Sequence, residues 1–440
     1  MKLTELMSES RLPAVVAAFG DSFWADRRRV YAAWIGVSLV ALMAVTWPLW
    51  FPTAEVTFPM IPLVPMVAEW PWWIDWIASL AVLAGWIVAA FGKVRLGCGL
   101  ASLASMTLVI LNQHRLQPWF YEFLLVSILF SLASADTVWK RWMRYLVASI
   151  YIYSAVSKLD VSFLETLGPS LVIGGGEALG IAPDPDASWP AVIAHSAPLY
   201  ELAVGMCLAW PPLLRVGAVM GILLHLGILL AVGPWGLQHS TGVLLWNGHF
   251  IGLLGWWLWK PQDAYAEPQQ QVVHWRACDW VLAGVLLPPL VLPVTEHGEW
   301  WDHWPSWAVY APHCSKAQVY VPQARVQQLP EGLQRLLARQ PWEEGAFEVE
   351  LPLAAWSLAE THAPLYPQAR FQVGVARAVA ERIAADFGMR CVVWSPAGRL
   401  SGKRKGTAIA SRRELVRFAA RRYWLGTRPR QLTPPAAITK

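Results

Sequence analysis

The stretch YIYSAVSKLDVSFLET (residues 151–166) decides how this chain is read. Its first half is apolar enough for lipid, yet Lys158 ends it and Asp160 follows closely. A lysine there is either a snorkelling anchor, stem along lipid and ammonium among headgroups, or the group around which a membrane domain is built. Tyr151, Ser154 and Lys158 fall at i, i+3 and i+7, so they share one helical face. An anchor needs no hydroxyl stripe beneath it. A polar face aimed at other ionisable helices implies an interior cavity opening outward. A lysine desolvated there has its pKa lowered, and its neutral amine serves as a base.

The surrounding composition supports a membrane setting. Of 440 residues, 56% are hydrophobic and 15% charged, too apolar a balance for a soluble protein of this size. Many of the 29 tryptophans cluster, in WPWW (70–73), PWF (118–120) and GWWLWK (255–260), as interfacial aromatics do. Residues 1–29 are polar and end in DRRR, without the apolar core of a cleavable signal. The five cysteines form no CxxC pair, so they argue for neither a zinc knuckle nor a dithiol redox motif. A single Cys314–Cys391 disulfide stays open. GGGEALG (174–180) has no preceding strand and reads as an external loop rather than a phosphate cradle.

Apolar runs of spanning length recur near 30–51, 71–92, 94–112, 117–135, 141–158, 189–211, 214–232, 240–259 and 277–294. The ninth carries a Pro-Pro pair that could break it. The chain therefore reads as a mostly α, polytopic bundle of about nine spans (30–295), with a cytoplasmic N-terminal segment (1–29). Placing the N-terminus inside gives the inner loops Lys2, Arg11, Arg27, Arg28, Arg29, Lys93, Arg95, Lys140, Arg141, Arg144, Arg215, Lys260 and Arg276. The outer loops keep only Arg115 and Lys158. This predicts a multi-pass protein of the cytoplasmic (inner) membrane, with residues 296–440 outside.

That last region is a different material. KAQVYV (316–321), FEVELPL (347–353) and RCVVW (390–394) read as strands. Residues 369–388 read as an amphipathic helix, and Ser411 with Glu414 has capping-box spacing before another. A small α+β domain is expected, its basic surface facing water or phospholipid and not nucleic acid.

Ionisable groups in lipid are costly and mark candidate sites. At 1.5 Å rise per residue, Glu122, His195 and Glu201 lie about 8, 9 and 18 Å inside the outer surface. His225 and His249 fall near mid-span, with Asn112, His114 and Lys158 at outer helix ends. Each histidine alone also suits a plain interhelical hydrogen bond.

The segment around Lys158 resembles that of vitamin K-dependent γ-carboxylases, within the horizontally transferred transmembrane (HTTM) domain. Its aromatic-rich helix, Lys-Leu-Asp, aromatic and Glu follow in the same order. NQH (112–114), HSAPLYEL (195–202) and GILLHLGILL (221–230) resemble three further family stretches in sequence. Ile228 stands where the family has an asparagine. The resemblance implies that Lys158 deprotonates a reduced menaquinone or vitamin K-type quinol drawn from the bilayer. Oxygen then adds, and the quinone leaves as an epoxide. It places Asn112 and His114 on the quinol, His114 and Glu201 in catalysis, and His195 and His225 in the binding set, His195 being the buried partner of Glu201. It requires no metal or flavin. Such an enzyme would be a quinol-dependent lyase or oxygenase. Two other classes stay open: a non-catalytic transporter or scaffold whose external domain binds a protein partner, and a DoxX/MauE-like redox-associated membrane protein.

Overall fold

The computed structural model describes residues 26–53, 55–181, 187–260, 275–339, 347–383 and 387–430. Residues 1–25, most of the expected N-terminal segment, lie outside these. A helix stands at each of the nine expected positions: α1 (Arg27–Val45), α2 (Trp73–Ala90), α3 (Val94–Leu111), α4 (Pro118–Leu132), α5 (Asp136–Lys158), α7 (Trp189–Ala209), α8 (Leu214–Val232), α9 (Thr241–Trp259) and α10 (Ala277–Val291). Among the described residues, six helices are long and apolar enough to cross a membrane, α1, α2, α3, α7, α8 and α10. The count reaches seven if α5 and the stretch Phe163–Ala178, which ends in α6 (Gly168–Ala178) and is bent by 86° from α5, form one span. α4 is shorter, at 15 residues.

Two expectations are corrected. GGGEALG is no loop, because its first half closes α6. Gly174 makes that helix fit: an added Cβ would lie 2.7 Å from Leu237 Cγ. The Pro288-Pro289 pair does not break the last span either, since α10 runs through both to Val291 and a 3-10 helix carries on to Gly298.

The bundle is apolar on its outside as well as in its core. Val37, Ile77, Leu103, Leu199, Leu223 and Val281 face outward, as lipid-facing residues do. Small residues bring backbones together, as in membrane helix pairs generally. Between α2 and α3, a Cβ on Gly97 would meet the Gly85 carbonyl at 2.3 Å. At one end of the bundle, arginines cap helix carbonyls: Arg29 Nε donates to Ala90 O (2.7 Å), and Arg95 donates to Ala133 O (2.7 Å).

Residues 316–430 form the expected α+β unit. Its antiparallel sheet has the order β2-β1-β3-β4, from β1 (Lys316–Pro322), β2 (Glu348–Glu350), β3 (Phe387–Trp394) and β4 (Gly406–Ser411), the last not foreseen. Helices α11 (Glu331–Leu337), α12 (Leu353–Thr361), α13 (Ala369–Arg382) and α14 (Arg412–Arg422) complete it. Ser411 caps α14 as expected, its Oγ accepting from Glu414 N (3.2 Å). The Cys314–Cys391 disulfide is absent, both being free thiols. Cys391 pairs opposite Val319, five residues beyond Cys314. Three of those five steps are already extended strand, about 10 Å long, beyond disulfide reach.

This unit caps the end of the bundle where α5 terminates. Glu360 accepts from Thr57 N, Phe58 N (2.7 Å) and Trp356 Nε1 (2.8 Å). Gln113 donates to Gly426 O (2.6 Å) and accepts from Arg370 (2.9 Å). Asp75, fully buried in α2, accepts from Arg115 and, at 2.9 and 3.0 Å, from Arg430.

Candidate functional site

The polar face foreseen on α5 exists, and each of its members meets a partner from another helix or from the face itself. Lys158 Nζ donates to Glu201 Oε2 of α7 at 2.7 Å and to Ser154 Oγ at 2.5 Å. Both charged side chains are about nine-tenths buried, 10% and 11% exposed, so this is not a headgroup anchor. α7 can approach because Gly205 lies one turn beyond Glu201; a Cβ there would stand 2.7 Å from Ile152 of α5. The residues 395–405 close over the end of α5. Val161 N donates to Arg399 O (2.9 Å), and the Arg399 guanidinium donates to Val156 O (3.1 Å).

Two turns deeper, the Tyr151 hydroxyl lies 2.6 Å from His225 Nε2, and His225 Nδ1 lies 2.8 Å from Asn247 Oδ1. The Asn247 amide nitrogen donates to Val243 O (2.8 Å), which fixes its oxygen toward the ring. Nδ1 therefore carries the proton, Nε2 accepts from Tyr151, and the imidazole is neutral in one tautomer. Phe250 stacks flat on it at 4.9 Å. Gly221 lets α8 and α9 approach closely, since a Cβ there would crowd Leu254 at 2.6 Å.

A second polar centre lies beyond Phe250. Glu122 accepts from Trp246 Nε1 (2.7 Å) and faces His249 Nε2 at 3.5 Å. Ser38 donates to Trp34 O, so its oxygen accepts from His249 Nδ1–H. Glu122 Oε1 and His249 Nε2 face each other as buried atoms without a hydrogen-bond partner.

Lys158, Glu201 and His225 are brought into one polar column; the other three expected residues are placed elsewhere. His195 is exposed, its Nδ1 2.6 Å from Ala191 O on its own helix. It is not the buried partner of Glu201, because six residues of helix turn the two about 120° apart. Asn112 caps His114 N (3.1 Å), while His114 Nε2 lies 2.9 Å from Pro364 O and 3.2 Å from Ser357 Oγ. Both are engaged at the junction with the C-terminal unit.

Sequence reasoning missed Asn247, Asp75 and a buried group built from Glu296, His303, His313 and Asp160. A lone amide in an apolar helix and an acid in WPWWIDW were the available signals for the first two. In the third, burial disfavours charge on His313, but its hydrogen bonds to the Asp160 and Glu296 carboxylates outweigh it and raise its pKa to about 9. An open recess of about 440 Å³ lined by Asp26, Arg28, Lys93, Arg95 and Asp136 lies at the opposite end of the bundle and belongs to none of these centres. No family model, no curated protein and no solved structure matches the chain.

Proposed function

We propose that this is a multi-pass enzyme of the cytoplasmic membrane, HTTM-like, that uses the Lys158–Glu201 pair to take a proton from a reduced isoprenoid naphthoquinol. The observation that carries this reading is the pair itself. One proton sits between heavy atoms 2.7 Å apart inside an apolar bundle. Moving it to Glu201 turns an ammonium and carboxylate into an amine and carboxylic acid, with no change in net charge. The amine is then a base, and Glu201 stores the proton it displaced. Ser154 holds Nζ in place from the same helix. Tyr151 and the neutral His225 continue the polar column inward, suited to orienting a second quinol oxygen. A quinol entering sideways from lipid brings the reducing equivalents and the hydroxyl to be deprotonated.

The basic residues near α1, α3 and α5 support a cytoplasmic N-terminus, which puts the Lys158 end and its cap outside. A second reading rests on a specific observation: Lys158 pairs with Glu201, and Tyr151, His225 and Asn247 with one another, as in a purely structural network.

Turnover separates the two. Purified protein in nanodiscs receives reduced menaquinone and oxygen, and mass spectrometry follows the quinone epoxide. The enzyme reading expects epoxide from wild type and none from Lys158→Ala. Absence of epoxide from folded wild-type protein overturns it in favour of the structural network.

A further inference from the structure

We infer that Glu296, His303 and His313 bind a divalent first-row transition-metal ion of the zinc class, with Asp160 positioning His313. The site is separate from the Lys158 chemistry and independent of whether any quinol is used.

Three segments converge to make it. Glu296 lies in the 3-10 helix after α10, His303 and His313 in the connection to β1, and Asp160 just past α5. All four are buried, at 8%, 2%, 0% and 2% exposure. One ligand atom from each of Glu296, His303 and His313 falls within 4.8 Å of the others. His303 Nδ1 is 2.6 Å from Glu296 Oε1, and His313 Nε2 is 2.9 Å from Glu296 Oε2. Bonds of about 2.0–2.2 Å to a tetrahedral ion hold ligand atoms a little over 3 Å apart. Reaching that spacing from 2.6 and 2.9 Å opens the two carboxylate–imidazole contacts by about 0.4–0.8 Å.

The outer nitrogens supply the second, independent observation. His313 Nδ1 is 2.7 Å from Asp160 Oδ2, and His303 Nε2 is 2.9 Å from Ala311 O. A metal-bound histidine almost always turns its other N–H to a carboxylate or a backbone carbonyl. Here one ring uses each kind. Asp160 is itself fixed, accepting from Phe163 N at 2.9 Å.

Every neighbour of the two rings is an acceptor. The two rings meet edge to face, with centroids 5.1 Å apart, and converge on the one Glu296 carboxylate. One divalent ion between Glu296 and the inward nitrogens leaves both outer N–H groups to their acceptors and balances Glu296 and Asp160. Two imidazoles and one carboxylate select this class over calcium or magnesium, which take oxygen ligands. Three protein ligands leave one tetrahedral position for water. The ion would tie the ends of α5 and α10 to the start of the sheet.

The test uses untagged, full-length protein purified without chelator. Elemental analysis is expected to find about one zinc-class ion per chain, lost in Glu296→Gln, His303→Ala and His313→Ala and kept in His297→Ala. Cobalt added to stripped wild-type protein is expected to give the visible bands of a four-coordinate site, a readout that needs no variant. Asp160→Asn should keep the stoichiometry at saturating zinc but weaken affinity about 10- to 100-fold. Metal-free wild-type protein that gives no cobalt bands and no zinc-dependent thermal shift overturns the proposal. So does an ion retained in both histidine variants.

Discussion

Removing Lys158 tests whether its pair with Glu201 is a coupled unit. Both side chains are about nine-tenths buried, so solvent screens little of their interaction. Lys158→Met leaves the Glu201 carboxylate without its counter-charge. Orphaning one member of a buried pair costs about 3–5 kcal/mol. An escape limits that cost, since an ordinary carboxyl can take up a proton at pH 7 for about 4 kcal/mol. Lys158→Met should therefore destabilise the protein by about 3–4 kcal/mol. Glu201→Leu should cost about as much, because it strands the ammonium with only the Ser154 hydroxyl and carbonyl. The double variant buries neither charge, and its loss should be well below the sum, with a coupling of at least about 2 kcal/mol. Unfolding in nanodiscs across the four proteins measures this cycle. Losses that add to within about 0.5 kcal/mol, or single variants as stable as wild type, would refute the claim that the two groups share one proton in a desolvated site.

Three further outcomes are expected. Asp75→Asn leaves two buried guanidiniums without a carboxylate and should cost about 3–5 kcal/mol, whereas Arg430→Ala, which spares the Arg115 pair, should cost about 1–3 kcal/mol; thermal unfolding ranks them. Burial pushes the Cys391 thiol up to about 12 and Cys314 up to about 11, so at pH 8 neither should react with iodoacetamide until the protein is denatured, which peptide mass spectrometry reads directly. His195→Ala should leave both the melting temperature and any Lys158-dependent turnover unchanged, since the ring bonds only its own helix.

Much of the architecture was legible because lipid imposes a simple rule: apolar runs of sufficient length become helices, and a helix stands at each of the nine positions read this way. The polar face of α5 was legible for a related reason, since Tyr151, Ser154 and Lys158 obey helical spacing within one segment. Depth alone was a poor guide. The resemblance pairs His195 with Glu201 in one short segment, but six residues of helix place them on different faces. Asn112 and His114 sit at the expected helix end, yet the partners of His114, Ser357 and Pro364, belong to a region whose docking no local pattern announces. The four-residue group around His313 was hidden likewise, its members drawn from three separate segments with no shared spacing.

The Asp75–Arg115–Arg430 contact has a consequence for how the chain is made. Arg115 follows Asp75 by 40 residues, while Arg430 follows by 355. At about 5–20 residues per second of synthesis, the first partner arrives within about 2–8 s and the second only after about 20–70 s. The nascent bundle must therefore hold its acidic residue with Arg115 alone through most of translation. Arg430 then closes the assembly as a late clasp, engaging only once the intervening polypeptide has folded around the helix ends.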